Sequence, residues 1–170
     1  MHPALHFEYC PSCGTAREAA RVQPIACAAC GFTLFVNTTC ATAAFLRRPD
    51  GKVLFIRRAH DPARGKLAIP GGFIDEGETA EAGLRREFME EVGLAINDLT
   101  FLCSHPNQYL YKGVTYPVLD FFFTANATGA EQPRALDAVD SFVWLDPATV
   151  SPDDIAFPSM IHALQIYLAR

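Results

Sequence analysis

Apolar runs of strand length, separated by turn residues, recur from residue 38 to the end of the chain. Residues 39–46 and 52–58 are two such runs, and the turn Pro49-Asp50-Gly51 between them predicts a β-hairpin. A loop follows, and a short strand then leads into Pro70-Gly71-Gly72. By the same criteria, strands are predicted at residues 67–69, 100–104, 116–125 and 142–145.

Two helices are also predicted. The main one covers residues 79–92, where apolar positions recur every fourth residue, at Ala80, Leu84, Phe88 and Val92. Gly93 stands where a helix C-terminal glycine is expected. A second helix is expected at about residues 158–169. Strands, a central helix, more strands and a final helix indicate an α/β or α+β sandwich, and periodicity alone does not choose between them.

Residues 1–36 lack this periodicity and are predicted to form a small unit ahead of a main domain at residues 37–170. Cys10-x2-Cys13 and Cys27-x2-Cys30 are separated by 13 residues, and a glycine directly follows each pair. Four thiolates at this spacing fill the tetrahedral shell of Zn²⁺ and predict a structural zinc ribbon. The alternatives are a disulfide pair, which a reducing compartment disfavours, and a redox couple, which needs only one pair.

Composition and charge narrow the possible partners. Hydrophobic residues make up 50% of the chain, so a buried core needs no disulfides. The net charge is -5 and lysines and arginines are not clustered, which argues against a nucleic-acid partner. The N-terminus does not resemble a signal peptide, and no apolar stretch approaches the ~20 residues that span a bilayer. We therefore expect a soluble, cytoplasmic protein with no membrane partner.

Three glutamates of the main predicted helix carry the strongest chemical signal. Glu87, Glu90 and Glu91 stand at i, i+3 and i+4, so their side chains converge on one face. Like charges at this spacing destabilise a helix. A hard divalent cation such as Mg²⁺, which prefers oxygen ligands, would explain the crowding. Taken alone, the three acids favour an ordinary solvated helix face over a metal site.

The complete pattern is more specific than the three acids. It reads Gly72-x5-Glu78-x7-Arg86-Glu87-Phe88-x-Glu90-Glu91-x-Gly93-Leu94, with nine defined positions across 23 residues. It resembles the Nudix box of the Nudix hydrolase superfamily at every defined position. The resemblance extends from about residue 38 to the C-terminus. It implies an α/β/α sandwich around a mixed sheet, and hydrolysis of the pyrophosphate bond in a nucleoside diphosphate linked to another group.

The resemblance also implies residue roles. Glu87, Glu90 and Glu91 would be ligands of Mg²⁺ or Mn²⁺, and Gly72 would add a backbone carbonyl. Arg86 would orient the glutamates by ion pairing, and Glu78 would brace the junction between loop and helix. Relatives often place the general base in a loop before a late strand, where this chain has Ala138. The base is then one of its flanking acids or a box glutamate, and the candidates are Asp137, Asp140 and Glu87.

A zinc ribbon before such a domain resembles the NADH pyrophosphatase branch and related ADP-ribose pyrophosphatase-like proteins. The substrate contacts are predicted less sharply, because aromatic residues here are equally compatible with core packing. We expect Tyr109 and Tyr111 to stack on a base, Asn107 to read its edge and Arg58 to touch a phosphate. The alternative to an enzyme is a non-catalytic nucleotide-sensing module that uses the ribbon for protein contacts. A homodimer is possible for either.

Overall fold

The computed structural model describes residues 1–17 and 23–170. Residues 18–22, which belong to the predicted ribbon, lie outside the described part. Among the described residues, no helix is long and apolar enough to cross a membrane.

A mixed sheet forms the middle layer of the main domain. Within the described residues it has seven strands, in the order β5-β4-β3-β8-β7, with β6 also pairing with β3 and β9 with β4. The β3–β8 pair is parallel, whereas the neighbouring pairs are antiparallel. The strands are β3 (Thr39–Arg47), β4 (Val53–Arg58), β5 (Leu67–Ala68), β6 (Gly71–Phe73), β7 (Thr100–Tyr111), β8 (Val114–Asn126) and β9 (Val139–Leu145).

The predicted hairpin of β3 and β4 opens immediately after its turn. The two strands pair only at Arg47 and Val53, and β6 then takes the place beside β3. A side chain at Gly71 would not fit there, because its Cβ would lie 2.1 Å from the carbonyl oxygen of Thr42. The glycine-rich turn therefore crosses the middle of the sheet, directly below the main helix.

One helix covers each face of the sheet. The first, α1 (Ala80–Val92), begins at Thr79, whose hydroxyl accepts a hydrogen bond from the Ala82 N–H, and ends at Gly93 in the left-handed conformation. Its apolar stripe of Leu84, Phe88 and Val92 is fully buried against the sheet. The second, α2 (Pro158–Leu168), packs on the opposite face and completes a separate core cluster. The predicted α/β/α sandwich is confirmed.

The strand predictions for β7 and β8 were too short. Residues 100–104 are only the first part of β7 and residues 116–125 are most of β8, and the two strands form a longer hairpin that turns at Lys112 and Gly113. Pro106 lies within β7, which is the edge strand of the sheet order, so its missing N–H removes no hydrogen bond to a further strand. The extension carries the predicted substrate residues Asn107 and Tyr109 onto a regular strand.

The N-terminal unit contains a small two-stranded sheet, β1 (Ile25–Ala26) with β2 (Thr33–Leu34). Its first residue is attached to the main domain at the tip of the long hairpin. The N-terminal amine of Met1 bonds to the Thr115 hydroxyl at 3.1 Å, and the Thr115 N–H donates to the Met1 carbonyl at 2.8 Å. The N-terminal residue of the chain is therefore held at the tip of this hairpin.

Candidate active site

Arg86 organises the acidic face of α1. Its guanidinium carries five N–H groups, and each of them has an acceptor. Nε and Nη2 hold both oxygens of Glu78, each at 2.9 Å. Nη1 bonds to Glu87 at 2.8 Å and to Glu90 at 3.0 Å, and Nη2 also reaches the Phe73 carbonyl at 2.9 Å. One arginine thus fixes the loop before the helix and two of the three clustered glutamates.

The glycine turn lies against the other ends of these carboxylates. The Gly71 N–H donates to Glu91 at 2.9 Å. A Cβ at Gly72 would lie 2.5–2.6 Å from the three carboxylate atoms of Glu87. Glycine at this position therefore leaves the space that the Glu87 carboxylate occupies, and the turn and helix form one cluster of oxygen donors.

Burial raises the pKa of two glutamates of the site, whereas hydrogen bonds lower the pKa of a third. Burial, reinforced by the nearby charge of Glu87, raises the pKa of Glu91 from 4.5 to about 8, although the Gly71 N–H opposes the shift. Burial also raises the pKa of Glu87, against the effect of Arg86. Hydrogen bonds from Arg86 and from the Asp75 N–H lower the pKa of Glu78 to about 2. Glu78 is a permanent anion, whereas Glu91 needs a positive partner to stay ionised at neutral pH.

The loop before β9 brings one base candidate to the cluster. The N–H groups of Arg134, Leu136 and Asp137 bond to carbonyls in the last turn of α1, at 2.9, 3.0 and 3.3 Å. The Asp137 charge contributes to the raised pKa of Glu91. Asp140 instead lies within β9, where its carboxylate contacts the Ser141 hydroxyl at 3.4 Å. Both side chains are exposed.

A cavity of about 270 Å³ opens beside the cluster. Glu87 and Glu91 line one side of it, and the cavity continues across the sheet to the face covered by α2. Three of the four predicted substrate residues line it: Arg58, Asn107 and Tyr109. The fourth, Tyr111, does not line the cavity. Its side chain is exposed, and its ring centroid lies 6.4 Å from that of Tyr109.

The contacts of the cavity residues show what each has available for a ligand. The Arg58 Nε bonds to the Pro62 carbonyl at 2.8 Å, and its guanidinium lies 5.0 Å from the ring centroid of Phe157. Tyr109 meets the edge of Phe73 at 5.3 Å and lies 5.9 Å from Phe157. The cavity therefore has one aromatic wall, formed by rings in mutual contact, and it contains the cationic side chain of Arg58 as well as the carboxylates.

Sequence reasoning missed two cavity residues, Phe157 and Asp120. Phe157 precedes α2, far along the chain from the motif, and carries no pattern of its own. Asp120 interrupts the apolar run of residues 118–123, and a lone acid in a buried strand was the available signal. Asp120 is 8% exposed, and its carboxylate accepts hydrogen bonds from Asn107 and Ser159.

The four predicted zinc ligands come together in the ribbon. The Sγ atoms of Cys10 and Cys30 are 3.8 Å apart, those of Cys13 and Cys27 are 3.7 Å apart, and all four lie within 4.8 Å of one another. A tetrahedron with Zn–S bonds of ~2.3 Å has edges of ~3.8 Å. A disulfide would need ~2.05 Å. The four cysteines could therefore bind zinc, and the sulfur spacing does not fit disulfides.

Comparisons with known proteins agree with this architecture. A family model described as the NUDIX domain matches residues 38–164. The chain is 38% identical over 112 residues to an ADP-ribose pyrophosphatase of Methanocaldococcus jannaschii, covering 65% of this chain and 63% of the relative. It is 24% identical over 174 residues to the NAD-capped RNA hydrolase NudC of Pseudomonas aeruginosa, covering 98% of this chain and 58% of that protein. The chain thus spans only about six-tenths of the length of these relatives.

Solved structures show the same fold. A NUDIX hydrolase from Nitrosomonas europaea superposes with a TM-score of 0.70 at 21% identity, covering 95% of this chain and 90% of that one. The NUDIX domain of Shewanella oneidensis NrtR, crystallised with ADP ribose, gives a TM-score of 0.64 at 22% identity, covering 79% of this chain and 90% of that one. At these identities the likeness concerns the fold alone.

Proposed function

The chain belongs to the Nudix hydrolase family, and we propose that it hydrolyses the pyrophosphate bond of a nucleoside diphosphate linked to another group, using Mg²⁺ or Mn²⁺. The observation that carries the proposal is the cluster of Glu87, Glu90 and Glu91, two of which Arg86 holds, beside a cavity lined by aromatic side chains and Arg58. ADP-ribose and NADH-like dinucleotides are the leading candidate substrates.

The donor set fits a hard divalent cation. Three carboxylates and the Gly72 carbonyl would supply oxygen ligands of the kind that Mg²⁺ prefers. Glycine at residue 72 keeps open the space that the Glu87 carboxylate fills, and a bound cation would keep the Glu91 carboxylate ionised although burial raises its pKa. When bound, the ion would lower the pKa of a water molecule and neutralise diphosphate charge.

The remaining residues have separate tasks. Arg86 keeps the ligands in place, and Arg58 adds positive charge where a phosphate would lie between cluster and cavity. Asp137 is our first candidate for the general base, because its loop is bound to the end of α1 and its charge acts on Glu91. Glu87 is the second candidate, and Asp140 the third.

The relatives suggest the substrate class. One is named an ADP-ribose pyrophosphatase and another an NAD-capped RNA hydrolase. ADP-ribose, NAD and an NAD cap share a diphosphate that joins adenosine to a second ribose. We propose a small-molecule member of this class, since the chain lacks the clustered basic residues expected of an RNA-binding surface.

We infer that the ribbon holds one structural Zn²⁺ and stabilises the end of the molecule where Met1 contacts the hairpin. Four thiolates leave no open coordination position, so the site has no catalytic role.

A substrate panel tests the proposal. ADP-ribose, NADH, NAD-capped RNA and nucleoside triphosphates are incubated with Mg²⁺ or with chelator, and products are identified by mass spectrometry. Glu91→Gln is expected to lower kcat/KM at least about a hundredfold, while Glu81→Gln, an exposed glutamate on the same helix, serves as the matched control. Binding of these nucleotides without turnover would favour the nucleotide-sensing alternative. Full activity in Glu91→Gln would refute the site.

A further inference from the structure

Asp120 is a buried acid that the hydrolytic chemistry does not use. It lies on β8 between Val118 and Phe122 and faces α2, on the side of the cavity away from the glutamate cluster. Asp120 is only 8% exposed, and burying a carboxylate among apolar residues is costly unless it is hydrogen-bonded. Its contacts therefore indicate why it is there.

Both described contacts go to one oxygen. Oδ2 accepts from the Asn107 side-chain N–H at 2.9 Å and from the Ser159 hydroxyl. No described residue donates to Oδ1, and Oδ1 is not among the buried polar atoms that lack a partner. This oxygen is therefore open to the cavity that Asp120 lines. Oδ2 alone makes the hydrogen bonds that connect β8 to β7 and α2. This structural role does not explain why Oδ1 is left open.

We propose that Asp120 determines base specificity, its free oxygen Oδ1 accepting a hydrogen bond from the 6-amino group of an adenine that lies against the aromatic wall of the cavity. This inference rests on the proposed function and names the base of its substrate. Tyr109 and Phe157 supply apolar surface for a flat ring. Because the same cavity reaches Glu87 and Glu91, a base at Asp120 places its diphosphate toward the glutamate cluster.

The hydrogen-bonding capacity of the Asp120 carboxylate favours a base that carries an amino group. An ionised carboxylate only accepts hydrogen bonds, so it favours an N–H donor and repels a carbonyl oxygen. One free oxygen suits a base that presents one amino group. Hypoxanthine carries a 6-oxo group in the place of the 6-amino group. In the same orientation its oxygen would face Oδ1 of Asp120, and two hydrogen-bond acceptors repel each other. ADP-ribose should therefore bind more tightly than IDP-ribose.

The contacts at Oδ2 predict the result of a conservative substitution. In Asp120→Asn, the amide oxygen is expected to stay where Asn107 and Ser159 donate, because the amide nitrogen cannot accept their hydrogens. The NH₂ group then points into the cavity as a donor. The variant should prefer the 6-oxo purine, so that the ratio of kcat/KM for ADP-ribose to IDP-ribose falls by roughly ten- to hundredfold or inverts.

The test measures kcat/KM and, by calorimetry without metal, the affinity for both ligands. The matched control is Asp154→Asn, an exposed aspartate outside the cavity, which should keep the wild-type ratio. A ligand series on the wild-type protein tests the inference even if Asp120→Asn does not fold. The 6-amino compound should bind best, the analogue without a 6-substituent should be weaker, and the 6-oxo compound weakest.

The outcomes separate the two proposals. A folded Asp120→Asn with the wild-type ratio, or a wild-type protein that prefers the 6-oxo purine, would overturn the assignment of Asp120 and leave the hydrolase intact. Absence of turnover with a retained 6-amino preference in binding would remove the hydrolase and support the base site.

Discussion

Gly72→Ala tests whether the turn and the glutamate cluster work as one unit. The new Cβ would lie 2.5 Å from Cδ and Oε1 of Glu87 and 2.6 Å from Oε2. Ordinary van der Waals contact begins at 3.4 Å, so the carboxylate has to move by about 1 Å. A displacement of about 1 Å at reacting groups can cost about a hundredfold in rate. We expect kcat/KM to fall by that factor.

The same substitution should leave the protein folded. Gly72 has a backbone conformation that alanine can adopt, and the group in the way is the end of a flexible side chain. Alanine lowers the entropy of the unfolded chain, a gain of about 0.4–1 kcal/mol. Loss of the 2.8 Å bond from Arg86 to Glu87 costs about 1.5–3 kcal/mol before solvent screening. The net loss of unfolding free energy should therefore be about 1–2 kcal/mol.

The assay compares kcat/KM with denaturant unfolding for wild type, Gly72→Ala and Gly83→Ala. Gly83 is a matched control on α1, because its new methyl needs only a few tenths of an ångström of adjustment at Glu78. Gly83→Ala should retain most of the activity. Wild-type activity in Gly72→Ala would show that the position of Glu87 is not critical. Loss of folding in Gly72→Ala would show that the turn has a structural role instead.

Three further predictions concern the charge network and the ribbon. Arg86→Lys keeps the positive charge, but a lysine cannot bond to both oxygens of Glu78 and to the other acceptors at once. Enzymatic activity should therefore fall at least about tenfold. A kcat/KM within twofold of the wild-type value would contradict a role for the five hydrogen bonds of Arg86. Without metal, ionising Glu91 in the folded state costs up to about 4–5 kcal/mol, because its pKa lies at about 8 instead of 4.5. In the presence of chelator, the free energy of unfolding should therefore decline as the pH rises from about 5 to 8. If Glu91→Gln shows the same decline with pH, other groups cause it. Cys27→Ser should abolish the zinc found by metal analysis, whereas Cys40→Ser should retain one equivalent; equal zinc in both would reject the ribbon site.

The sequence alone determined the features that are local in the chain. The motif of residues 72–94 specifies a turn, a capped helix and acids on one face, since each depends on spacing within a few residues. The cysteine pairs likewise predicted their own cluster. The end of β7 was missed because Pro106 ordinarily ends a strand, and only the edge position of β7 makes this proline tolerable.

Tertiary structure decided what residues far apart in sequence do together. The divergence of β3 from β4 admits β6 and so places Gly72 against Glu87. The packing of α2 brings Ser159 to Asp120, and the loop before β9 carries Asp137 to the end of α1. Tyr111 was a reasonable sequence candidate, but the hairpin directs it outside the cavity. The spacing of residues along the chain determines local geometry. The wall of a cavity depends on how distant strands and helices pack together, which local spacing does not specify.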